Sequence, residues 1–133
     1  RKVDYAVSME GSLKLKEVSY IHSEAYQAGE LKHGTISLID EDVPVISIVT
    51  DKDIREKSIS NIQEVKARGA KCIVISNEKI EGYDINIVVP ELSCFFQPLL
   101  IVPCLQLIAY EVAKLRGYDI DKPKNLAKSV TVE

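Results

Sequence analysis

Three short apolar runs stand out along the chain. Pro44 to Thr50 (PVISIVT), Lys71 to Ser76 (KCIVIS) and Ile85 to Val89 (INIVV) are nearly continuous and rich in β-branched residues. That pattern predicts strands covered on both faces. Between the first two runs, Ile54, Ile59, Ile62 and Val65 recur at helical spacing. Asp51 or Asp53 is placed to cap that helix, and Gly69 to stop it. Glu10 to Ala28 is rich in Leu, Lys, Glu and Ala and free of Pro, which predicts a first helix closed by Gly29. Pro98 to Arg116 predicts a long apolar helix ending at Gly117, with Pro103 expected to kink it or mark a junction between two helices. Glu30 to Gly34 is too short for a stable helix and reads as a loop or single turn, and Asp40-Glu41-Asp42 as an acidic turn. From Tyr118 onward the chain is polar, without periodicity until Val130-Thr131-Val132.

Strand, helix, strand, then strand and helix predict an α/β fold: a three-layer sandwich around a parallel sheet, flavodoxin- or Rossmann-like. Three strands are few for a sheet whose central members must be covered on both sides. The expectation is a partial fragment, residues 1–133 forming one domain whose first strand is truncated.

Length and composition narrow the function classes. The chain has 133 residues, 46% hydrophobic and 28% charged, so it can build one ordinary core. Seventeen Lys and Arg against 20 Asp and Glu leave a net charge of −3. A nucleic-acid partner, which calls for a basic stripe, is not expected. There is no Trp and there are only two Phe, so a base-stacking platform is not expected either. Cys72, Cys94 and Cys104 form no CxxC pair, and His22 and His33 lie far from them in sequence. No metal site, disulfide framework or cofactor is therefore expected, and a reducing cytoplasm is the natural compartment. Phe95 to Ala113 is long enough to suggest a membrane span, but Gln97, Pro98, Pro103, Gln106 and Glu111 interrupt it. A core or interface helix, with no membrane partner, is the expectation.

Candidate chemistry begins on the first helix. At 100° per residue, Leu13, Val18, Tyr20, Ile21 and Ala25 share one arc, and Glu10, Lys14, Glu17 and Glu24 fall inside it. Charges are rarely buried unless paired or functional. Glu10 and Lys14 stand at i, i+4 and can simply pair. Alternatively, a carboxylate and an ammonium held against an apolar wall are the groups whose acidity a site tunes. His33 sits between glycines in GELKHG, where a ligand can approach and a His can titrate near neutrality. An exposed loop His is the plainer reading. His22 reads as packing, and a lone tail lysine, Lys128, means little by itself.

LKLKE (13–17), YIH (20–22), AY (25–26), GELKHG (29–34) and the closing NLAKSVTVE (125–133) occur in that order. Together they resemble the glucosamine-6-phosphate synthase family, the isomerizing glutamine–fructose-6-phosphate aminotransferases. The resemblance covers the whole chain and matches the second sugar isomerase (SIS) domain of the family's C-terminal isomerase region. GELKHG is shared more widely among sugar isomerase domains, whereas NLAKSVTVE is much more specific.

The resemblance implies an aminotransferase that makes glucosamine 6-phosphate from fructose 6-phosphate and glutamine-derived ammonia. It implies that Glu17 is the base moving a proton between carbons 1 and 2 of the sugar. Lys128 corresponds to the lysine that forms a Schiff base with the open-chain ketose. His33 corresponds to the histidine that assists ring opening from the neighbouring subunit of a homodimer. Glu10 and Lys14 correspond to the pair that handles hydroxyl protons, and Ala127 to a backbone contact with the sugar. The other implied partners are a first SIS domain and a glutaminase domain.

Lys124 stands where the family often has Arg, which removes a planar guanidinium contact, and Thr35 stands where Pro is common after KHG. The family's Ser/Thr-rich phosphate loop, of Ser-Gln-Ser-Gly-Glu-Thr type, does not occur in these 133 residues, so the chain alone is expected to be inactive. Two other readings are a non-catalytic sugar-phosphate-binding module and a deglycase acting on an amino-sugar or Amadori-type phosphate. Glu17 and Lys128 argue against the first, since a sensor needs neither base nor Schiff-base lysine. The NLAKSVTVE end argues against the second.

Overall fold

The computed structural model describes residues 2–124 together with Leu126. In chain order come helix α1 (Lys2–Ser19), strand β1 (Pro44–Val49), helix α2 (Arg55–Lys66), strands β2 (Lys71–Ser76) and β3 (Ile85–Val88), and helix α3 (Pro98–Leu115). Short 3-10 turns occupy Leu31–His33, Thr35–Leu38 and Lys52–Ile54. The strands are parallel in the order β1-β2-β3, with Ile46 opposite Ile73 and Ile75 opposite Ile87.

The three expected layers are present. On one face of the sheet, Val49, Cys72 and Val74 pack with Ile62 and Val65 of α2. On the other, Ile75 packs with Val7 of α1 and with Ile101 and Leu105 of α3. Alternate strand residues feed opposite layers, as the pleat requires. β2 lies between its neighbours and is mostly buried, as expected, but β1 is largely half-buried. Among the described residues β1 pairs only with β2, so its other edge is open.

The first helix differs most from expectation. It begins at Lys2 and ends at Ser19, not at Ala28. Tyr20 turns the chain with φ +54°, a left-handed conformation that cannot continue a helix. The buried stripe is Asp4, Val7, Gly11, Ser12 and Ser19, whereas Leu13 of the expected apolar arc is exposed. Small residues let α1 approach α3, and a Cβ on Gly11 would stand 2.8 Å from Leu105 Cδ1. Ser19 Oγ then donates to the Ala109 carbonyl at 2.8 Å. Hydrophobicity does not reveal a face built from Gly, Ser and Asp.

Other boundaries moved less. The Asp51 carboxylate caps a 3-10 turn by accepting from Asp53 N–H, and α2 proper starts at Arg55. α2 ends at Lys66, and Gly69, with φ +96°, completes the turn into β2. α3 is one continuous helix, so Pro103 divides nothing. α3 is long and apolar enough to cross a membrane by length and composition. Its buried residues Ile101, Leu105, Ala109 and Ala113 recur every four positions, the stripe of a helix laid on a core.

Candidate active site

The charged residues of α1 converge. Lys14 Nζ lies 2.6 Å from Glu17 Oε2 and 3.5 Å from Glu10 Oε1. The i, i+4 pair with Glu10 forms, but the i+3 carboxylate of Glu17 is the closer partner. All three side chains are half-buried, which suits charges held at the edge of a core. The hydrogen bond to Glu17 raises the Lys14 pKa above its usual 10.5, against the opposing effect of burial. Lys14 is therefore a fixed ammonium at neutral pH. Among the described residues, Glu17 Oε1 has no hydrogen-bond partner.

Of the three, Lys14 lines a cavity of about 520 Å³ between α1 and α3. Lys14, Val18, Gln106, Tyr110 and Ile120 line it. Gln106 and Tyr110 are site-lining groups that the pattern of the chain did not single out. In the sequence Gln106 reads only as a polar interruption of an apolar run.

A second cavity of about 520 Å³ follows β1, between the strand and the 20–46 segment. Asp4, Ser12, Ser23 and His22 line it, but none of Glu10, Lys14, Glu17 or His33 does. Both cavities have largely apolar walls; the one between α1 and α3 is the candidate for chemistry because Lys14, held by Glu10 and Glu17, opens onto it.

The remaining candidates are placed differently. His33 is exposed at the end of a 3-10 turn, whose neighbour Lys32 reaches α2 through Glu64 at 2.6 Å. Within one chain the described contacts do not bring His33 to the trio. Glu24 lies beyond α1 and is exposed, where it meets the Tyr26 hydroxyl. His22 is not packing, because its side chain is 84% exposed, 3.7 Å from Glu24. Lys128 and Ala127 lie outside the described residues. Among the described residues no cluster of His, Cys, Asp and Glu suits a metal ion.

Comparison with known proteins adds a second line of observation. Residues 1–84 match the SIS domain model. A glutamine–fructose-6-phosphate aminotransferase (isomerizing) of Sphingobium yanoikuyae is 51% identical, over all of this chain and 88% of its own length. A protein of that name from Clostridium perfringens is 53% identical over the whole chain, which spans 23% of its length. The Clostridium perfringens protein, like most of the relatives matched, is thus several times longer than these 133 residues. Among solved structures, the C-terminal domain of glucosamine-fructose-6-phosphate aminotransferase from Francisella tularensis superposes with a TM-score of 0.85 at 39% identity. That match covers 92% of this chain and 36% of the other. A glucosamine-6-phosphate deaminase from Thermotoga maritima gives 0.71 at 31% identity, over 95% of this chain and 37% of its own.

Proposed function

Because the chain belongs to the SIS domain family and, within it, to the isomerizing glutamine–fructose-6-phosphate aminotransferases, we propose that residues 1–133 are the C-terminal part of that enzyme's isomerase region. In this reading it helps convert fructose 6-phosphate and glutamine-derived ammonia into glucosamine 6-phosphate in the cytoplasm. The observation that carries the proposal is the Glu10–Lys14–Glu17 trio, one ammonium bridging two carboxylates beside a cavity.

The chemistry divides among this chain's residues. Lys128 Nζ adds to carbon 2 of the open-chain ketose; the C–N bond forms and the carbonyl oxygen leaves as water. Ammonia then replaces the lysine nitrogen at carbon 2. Glu17 takes a proton from carbon 1 and returns it to carbon 2, which converts the ketose imine to a 2-amino aldose without net oxidation. The carbon 1 hydroxyl loses a proton and the nitrogen gains one, and Glu10 and Lys14 stand where those protons move. Lys14 engages Glu17 Oε2 and leaves Oε1 for the substrate. Ala127 contacts the sugar through its backbone. His33, exposed on its own subunit, serves ring opening in the adjacent subunit of a homodimer.

The phosphate grip and the ammonia source belong to the other partners, the first SIS domain and the glutaminase domain. The exposed apolar residues Phe95, Phe96 and Leu99 at the start of α3 support cover by further protein. The decisive experiment is an assay of the full-length protein with fructose 6-phosphate and glutamine. Glucosamine 6-phosphate is the expected product, and the 133-residue chain with ammonium is expected to make none. Failure of the full-length protein to form it would overturn the reading.

A further inference from the structure

The two helical layers of the sheet present different outer faces. On one side stands α2, whose exposed positions are Glu56, Lys57, Ser60, Gln63 and Lys66. All five are polar. None of the exposed large apolar side chains among the described residues belongs to α2. A face of that kind is made for water.

The α1–α3 side is the opposite case. α3 lays Ile101, Leu105, Ala109 and Ala113 on the core. At 100° per residue, Leu99, Pro103, Leu107 and Tyr110 share an arc of about 80° on the far side of the same helix. Leu99, Leu107 and Tyr110 are 66, 62 and 40% exposed. Phe95 and Phe96 are exposed just before the helix, and Met9 and Leu13 are exposed at i, i+4 on α1. Single exposed leucines need no explanation, but a stripe along a whole helix marks a surface that something covers.

Three observations say what covers it. Glu10 and Glu17 lie within about a turn of Leu13 on α1 and are half-buried, so the cover must offer polar as well as apolar groups. A lipid surface does not. In five solved neighbours, the part that superposes on this chain is only 34–37% of the polypeptide, so most of each chain lies beyond this unit and is joined to it. A tethered domain meets the stripe at an effective concentration of about millimolar, which favours it over a free second copy.

We propose that the outer face of the α1–α3 layer, centred on Leu99, Leu107 and Tyr110, seats the first SIS domain of the same polypeptide. This rests on the function proposed above, in which Glu17 here and the phosphate grip of the first domain hold the two ends of one six-carbon sugar. The first domain therefore lies on the side of the sheet that carries α1, and α2 stays in solvent. Covering the stripe also shields the Lys14 cavity from water, which strengthens the ion pairs beside it.

The test is photo-cross-linking in the full-length protein, with benzoylphenylalanine in place of Leu99, of Leu107 or, as a solvent-facing control, of Ser60 on α2. Isotopically light and heavy chains are co-assembled, so that peptide mass spectrometry separates links within a chain from links between chains. The two α3 positions should link to the first SIS domain of their own chain, and Ser60 should not. Links from both α3 positions to a second copy, or to the glutaminase domain, overturn the proposal. So does the absence of any link to protein from either position, which leaves the stripe to solvent or lipid. Glucosamine 6-phosphate formed by the unsubstituted full-length protein keeps the functional reading in each of those cases. Absence of that product fails the reading itself, whatever the links.

Discussion

Asp4 Oδ1 accepts the Thr50 hydroxyl at 2.6 Å, and Asp4 Oδ2 accepts the Thr50 backbone N–H at 3.2 Å. The buried carboxylate thereby fastens the first turn of α1 to the residue that follows β1. A hydrogen bond to a charged group contributes about 1.5–3 kcal/mol, and losing it at a buried site also exposes the desolvation cost. Thr50→Val keeps the shape and deletes the hydroxyl donor. Amides of α1 and β1 in the full-length protein should then exchange about ten- to a hundredfold faster with deuterated solvent. Unchanged protection would show that the contact carries no stability.

Gly11 marks the closest approach of α1 to α3. Ala is the better helix former by about 1 kcal/mol, but its Cβ would meet Leu105 Cδ1 at 2.8 Å and Leu105 Cβ at 3.2 Å. Overpacking of this kind costs about 1–3 kcal/mol. Gly11→Ala should therefore destabilise the α1–α3 pair. Leu105→Ala should cost less in the Gly11→Ala background than in wild type, by about 0.5 kcal/mol or more in denaturant titrations. Strict additivity would mean that α1 shifts to relieve the contact.

Glu17→Gln in the full-length enzyme preserves size and removes the base. Isomerisation should fall by about 10²–10⁴-fold, the usual worth of a positioned general base. Glutamine hydrolysis should survive. If exchange of the carbon 1 protons with solvent persists in this variant, the base is a different residue, and Glu10 on the same face is the next to replace.

Two ion pairs set opposite limits on stability against pH. The hydrogen bond from Lys2, 2.8 Å away, holds the Asp51 carboxyl below its usual 3.8. A depressed carboxyl stabilises the fold above its unfolded value, and that contribution disappears as pH falls through the folded value. Lys14, raised above 10.5 by Glu17, contributes below that value and loses its contribution as pH rises through the folded one. Asp51→Asn should flatten the acid side of a stability–pH curve, and Lys14→Met the alkaline side. An Asp51→Asn curve parallel to wild type below about pH 4 would refute the first assignment.

The chain's pattern alone determined the three strands and their parallel α/β arrangement, because runs such as KCIVIS can be satisfied only in a sheet covered on both faces. It also placed Glu10, Lys14 and Glu17 on one face of a helix, since helical spacing is a local property. Tertiary structure decided where that helix ends and which side of it is buried. Its seam is Asp4, Gly11, Ser12 and Ser19, residues chosen for close approach and specific hydrogen bonds, which carry no hydrophobic signature. Pro103 follows the same logic. Its local preference is to break a helix, yet α3 runs through it, because Ile101, Leu105 and Ala109 gain more from lying on the core than the lost backbone bond costs. The Tyr20–Tyr118 contact was the least legible, because it joins residues that only the return of the chain after α3 brings together.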